Sequence, residues 1–141
     1  MTEPLAIAES IGPQTAPGIW TARLVWFLRA MAALSMIKGL YHWAAVVGIG
    51  AGATSTFETS SAAWEAATIF FAVIDLVAAV GLWLAAVWGG VVWLTAAISM
   101  IALELFFPEI YGGGVLIVLA ELIMIVGYVA LSVMAARERP A

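Results

Sequence analysis

The sequence predicts an all-α integral membrane four-helix bundle with both termini in the cytoplasm. Three observations carry that prediction. Of the 141 residues, 65% are hydrophobic and only 10% charged, whereas soluble domains use about 25% charged residues to cover a surface. The apolar residues gather into four runs, each close to the ~20 residues that cross a hydrocarbon core as a helix. Four of the five basic residues flank the first or follow the last of these runs, while the loops after runs 1 and 3 carry only acids. A chain of this length holds four spans, short connections and one domain, 1–141.

Residues 1–22 read as a cytoplasmic tail. The opening "MTEPLAIAESIGPQTAPGIW" has two acids, three prolines and no base, which is the wrong chemistry for a signal-peptide n-region. Small residues at Gly50 to Ala53 imitate a cleavage site. The run before them is too long and too charged for a signal h-region, so the first span is expected to be retained.

Span 1 is expected at about 24–50, its inner boundary blurred by Arg29. A polar loop follows, in which Ser55 and Glu58 have capping-box spacing. Span 2 is expected at about 66–88. In "WGGVVW" the pair Gly89–Gly90 is expected to form a tight turn that makes spans 2 and 3 an antiparallel hairpin. Span 3 covers about 91–107 and stops at Pro108. "PEIYGGG" is a short loop, span 4 runs over about 115–134, and 135–141 is a second cytoplasmic tail.

Orientation follows from charge. Arg23 and Arg29 lie at the inner end of span 1 and Arg137 and Arg139 follow span 4, whereas Glu58, Glu65 and Glu109 occupy the other side. The positive-inside rule then puts both termini in the cytoplasm. An even number of spans demands the same. Trp83, Trp88 and Trp93 cluster around the inner turn, and Trp64, Phe106, Phe107 and Tyr111 mark the outer edge, as interfacial anchors do. Thr68, Ala72, Asp75, Ala79 and Ala86 form a small-residue face on span 2, and Gly48 and Gly52 a GxxxG on span 1. Close backbone approach at such residues drives helix association in lipid.

Each span also carries an ionisable residue. A charge at the bilayer centre costs about 2.5–3.5 kcal/mol on insertion scales. Lys38, His42, Asp75, Glu104 and Glu121 therefore need partners or water. Asp75 is eleven residues past Trp64 and thirteen before Trp88, near the midplane. Lys38 is nine residues beyond Arg29, about 13 Å deeper at 1.5 Å per residue. His42 lies one turn further, on the same face. Glu121 is at or just beyond the centre, and Glu104 in the outer half. The five are expected to form one layer, from the midplane outward. Lys38 and Asp75 are the expected pair. Arg29 is out of phase with Lys38 and is expected to snorkel to lipid phosphates.

Two readings of that layer stay open. In the plainer one the pair, with His42, is polar glue that fixes helix register. In the other it is a proton or cation pathway, for which intramembrane Asp, Glu and His are the usual parts. Glu104 and Glu121 outnumber the remaining bases, so one acid holds a proton or meets water. Glu104, four residues before Pro108, is expected to reach the outer headgroups. Tyr128, two turns after Glu121, extends a polar stripe or packs.

Other chemistry is excluded by what is missing. Without cysteine there is no disulfide, iron–sulfur cluster or thiol catalysis. Five Lys and Arg make no phosphate-tracking patch, so no nucleic-acid partner is expected. One histidine cannot give bis-imidazole haem ligation within a chain. The Glu-x-x-His motif of di-metal bundles is absent, as are phosphate-loop and nucleophile motifs. Neither cofactor nor metal nor enzymatic activity is expected.

The stretch "FAVIDLVAAVGLWLAAVWGGVVWL" (Phe71 to Leu94), with "KGLYHWA" (Lys38 to Ala44) before it and "ARE" (Ala136 to Glu138) at the end, resembles a family of small alphaproteobacterial inner-membrane proteins catalogued as a domain of unknown function. The resemblance covers nearly the whole chain. It implies a bacterial four-span inner-membrane protein and brings no activity with it. The leading expectation is a non-enzymatic protein that acts by association, as an accessory or assembly subunit or a homo-oligomer in the lipid bilayer. The alternative is a small proton- or cation-coupled transporter or channel using the buried layer. A weaker one is a quinone- or lipid-binding protein with His42 and Asp75 as hydrogen-bonding groups. A charge-lined cavity open to one side favours transport; a dry, fully paired cluster favours a structural role.

Overall fold

A computed structural model describes residues 16–50 and 60–139. Helix α1 is Ile19–Val46, α2 Ala62–Trp83, α3 Val87–Phe106, α4 Pro108–Tyr111 and α5 Val115–Arg137. All but the short α4 are long and apolar enough to cross a membrane, and they mark a multi-pass membrane protein. The expected N-terminal tail lies mostly outside the described residues. So do Ser55 and Glu58 with their capping-box spacing, and Gly52 of the GxxxG.

Local chemistry fixes most helix ends. The Ser61 side chain accepts from the Trp64 amide at 3.2 Å and caps α2, with Glu65 in its first turn. That start precedes the expected 66. Pro108 breaks α3 and, as a first-turn proline, opens α4. Gly112 ends α4 in the left-handed region at φ 93°, donating to the Pro108 carbonyl at 2.7 Å. Span 1 differs from expectation at both ends. It begins at Ile19, and Val47 to Gly50 leave the helix as turns, with Gly48 at φ 75°. Span 4 continues to Arg137, one turn beyond 134.

The expected turn at Gly89–Gly90 is wrong. The chain reverses through Leu84, Ala85 and Ala86, with Ala85 at φ 51° and the Ala86 amide bonded to the Gly81 carbonyl at 3.0 Å. Spans 2 and 3 accordingly shift from 66–88 and 91–107 to Ala62–Trp83 and Val87–Phe106. Gly89 and Gly90 lie in the first turn of α3, where their lack of a side chain serves contact. A Cβ on Gly89 would stand 2.5 Å from the Gly81 carbonyl oxygen, and one on Gly90 would stand 2.5 Å from the Tyr128 hydroxyl.

The main contacts run in a ring, α1 to α2 to α3 to α5 and back to α1, with α1 against α2 the most extensive pair. Two layers fill the ring. One is apolar: Leu28 and Ala32 of α1, Ala78 and Leu82 of α2 and Trp93 of α3, with Tyr128 and Met124 of α5 packed against them. The other is polar and lies toward α4. The small-residue face on α2 is buried through Thr68, Ala72, Asp75 and Ala79, while Ala86 leaves it for the turn. Helix α5 is the most peripheral, with 11% of its most apolar stretch buried. Its exposed face, including Leu116, Ile123 and Val126, suits contact with lipid.

Candidate functional site

One face of α1 presents Lys38 and His42 a single turn apart. The Lys38 ammonium lies 2.9 Å from Glu121 Oε1 on α5 and 3.9 Å from Asp75 Oδ1 on α2. It thus joins two helices that stand across the ring from each other, from the helix adjacent to both. The expected partner, Asp75, is present but is the more distant of the two. Asp75 is fully buried, and neither of its oxygens makes a hydrogen bond within the described residues; the same holds for Glu121 Oε2. Ion pairs in low dielectric are retained when geometry and extra hydrogen bonds offset desolvation. Here the second requirement is unmet.

His42 is buried one turn away, its ring stacked on Phe71 at a centroid distance of 5.6 Å and tilted against Tyr111 at 6.1 Å. Tyr111 was expected to mark the outer edge. It turns inward from α4 instead, its hydroxyl 3.2 Å from Thr68 Oγ1. Glu104 also departs from expectation. Rather than reaching for headgroups it is buried, and its Oε2 accepts from the Gly114 amide at 2.6 Å. That amide belongs to the start of α5, where helix geometry leaves N–H groups without partners. Glu104 Oε1 has no partner among the described residues.

These groups surround a cavity of about 490 Å³, half open, walled by residues of all five helices, among them Lys38, His42, Glu104, Tyr111 and Glu121. Asp75 stands behind Lys38. Lys38, His42, Glu104 and Glu121 therefore share one cavity. Among the described residues no three His, Asp or Glu side chains lie close enough to hold a metal ion.

The anchors divide. Trp83 and Trp88 are exposed. Arg29 lies over the Trp83 ring at 5.6 Å and Arg23 over Trp20 at 4.7 Å, two cation–π contacts. Arg137 ends α5, where a cation suits the helix dipole, and Arg139 is exposed beyond it. Trp93 is no anchor. It is buried in the apolar layer with edge contacts to Phe27 and Tyr128, so Tyr128 packs there rather than extending the polar stripe. Trp64 is half buried and lines the cavity.

Sequence reasoning missed Glu138. Its carboxylate accepts from the Trp20 and Thr21 amides at 3.0 Å each and from the Thr21 hydroxyl at 3.1 Å. It caps α1 from the far end of the chain, where Gly18 supplies no side chain. The only signal was an acid in an otherwise basic C-terminal segment.

Residues 22–139 match the model of a family described as a family of unknown function (DUF6163). No curated protein and no solved structure matches the chain.

Proposed function

We propose that the chain, which belongs to the family of unknown function DUF6163, is a small non-enzymatic inner-membrane carrier that passes protons or another cation through its buried polar layer. One observation carries this reading above association. Lys38 sits between Glu121 and Asp75 at the wall of a half-open cavity. A register-fixing cluster has no need of an opening or of unmatched carboxylate oxygens. A path for cations needs both: entry from one side, and acceptors whose partners exchange.

The topology in this proposal is N-in and C-in, with α2 and α3 an antiparallel hairpin. The arginine distribution supports it, and so does the contact of Glu138 with the start of α1, which brings both ends of the bundle to one face. Exchange occurs when a cation approaches Glu121 and Lys38 shifts its weight to Asp75, whose oxygen is already within ion-pair distance.

Protein reconstituted in vesicles with an entrapped pH-sensitive dye should show proton flux that Glu121→Gln abolishes and Asp75→Asn strongly reduces. Wild-type vesicles that move neither protons nor an added cation, or flux unchanged in both variants, would sink the reading.

A second reading, association with a membrane partner or with itself, draws on the apolar face that α5 leaves uncovered. Purification in mild detergent tests it. A stoichiometric companion, or a discrete oligomer that survives Asp75→Asn, would favour association.

A further inference from the structure

We infer that the cavity walled by the five helices binds a lipophilic organic cation, one positive centre carried on an aromatic or branched apolar body; this rests on the carrier reading of that cavity and names its solute. The sign comes from a census of the walls. Glu104 and Glu121 line the cavity and Asp75 stands behind it, three carboxylates against the single ammonium of Lys38. That ammonium is already engaged by two of them, so an anion would find no free positive partner.

The two acids of the lining are themselves enclosed. Glu104 and Glu121 are 5% and 4% exposed, and each keeps one buried oxygen with no hydrogen-bond partner among the described residues. Native interiors satisfy such groups almost without exception. Both carboxylates belong to the lining of one cavity, and the charge they bring to it is negative.

Size and lining set the rest. At about 490 Å³ the space falls within the ~300–1,000 Å³ of small-molecule sites. It is far larger than a bare ion, and no three ligating side chains converge on a metal. Tyr41, His42, Trp64 and Tyr111 line the same cavity, and aromatic faces attract cations within about 6 Å. Met100 and Met124 line it too, and methionine adapts to apolar bodies of varied shape.

Lys38 supplies the exchange. A cation paired with Glu121 displaces the ammonium from its 2.9 Å contact, and Asp75, 3.9 Å away, receives it. The site thereby avoids placing two positive charges on one carboxylate.

The test uses a matched pair of probes on the full chain in detergent: radiolabelled tetraphenylphosphonium and its isosteric anion, tetraphenylborate. Saturable binding of the phosphonium alone is expected. Glu121→Gln should weaken it by at least about tenfold, because a desolvated charge pair loses one member. Ala45→Leu narrows the cavity without touching a charge or adding an aromatic face and should weaken it as well, so the prediction stands even if Glu121→Gln does not fold. Equal binding of both probes overturns the inference, and so does wild-type phosphonium affinity in Ala45→Leu. Proton flux in vesicles without phosphonium binding would overturn the inference and leave the carrier reading. Saturable, Glu121-dependent binding without flux would keep the site and remove the carrier.

Discussion

Lys38 reaches two carboxylates on helices that face each other across the ring, and their distances rank its partners. Removing the ammonium leaves buried acids uncompensated, a change that costs about 3 kcal/mol or more when one member of a buried pair is lost. Lys38→Met should therefore destabilise the protein by roughly that amount in reversible unfolding from detergent micelles. Double-mutant cycles should give a larger coupling of Lys38 to Glu121 than to Asp75, following 2.9 Å against 3.9 Å. Equal couplings would contradict the ranking. Counting depth at a helical rise grouped Lys38 with Asp75 and Glu121, the two carboxylates it contacts. It could not order the contacts, because that depends on α5 closing the ring onto α1, and sequence separation does not encode ring order. Glu104 escaped for a related reason. Its partner is the amide of Gly114, a backbone group that no side-chain pattern announces.

Between α2 and α3, chain reversal and close contact are assigned to different residues than composition suggests. Ala85 turns the chain at φ 51°, a conformation that costs about 1 kcal/mol or more in an L-residue with a Cβ. Ala85→Gly should raise the unfolding midpoint, with a gain of up to about 1 kcal/mol. Gly89→Val should lower it, at a cost of about 1–3 kcal/mol, since its side chain would press on the Gly81 carbonyl. Thermal unfolding of the two variants reads both signs. A Gly–Gly pair reads naturally as flexibility, and only the neighbouring backbone reveals that it serves proximity. The buried stripe Thr68, Ala72, Asp75, Ala79 was legible because helical spacing alone defines a face. Trp93 was not, because a tryptophan near a turn looks the same whether lipid or Tyr128 receives it.

Across the whole molecule, Glu138 closes the bundle at the end opposite the cavity. The Trp20 amide, and with it the Thr21 amide and hydroxyl, hold its carboxyl below the ordinary glutamate value of 4.5, against a smaller opposing effect of burial. A group whose folded value is depressed contributes its stability above the unfolded value and loses it as pH falls through the folded one. The clasp should thus be intact at neutral pH and release only below pH 4.5. The Thr21 amide resonance should report that release, and it should shift permanently in Glu138→Gln. A midpoint at or above 4.5 would contradict the assignment. The ring also has a history written into its order. During synthesis α1 and α2, the most extensive helix pair, are complete while Glu121, 83 residues after Lys38, has yet to be translated. Throughout that interval Asp75 is the only one of the two carboxylates that the lysine can meet. The shorter of the lysine's two contacts therefore waits for the last helix, and no contact to Glu121 can guide the earlier ones.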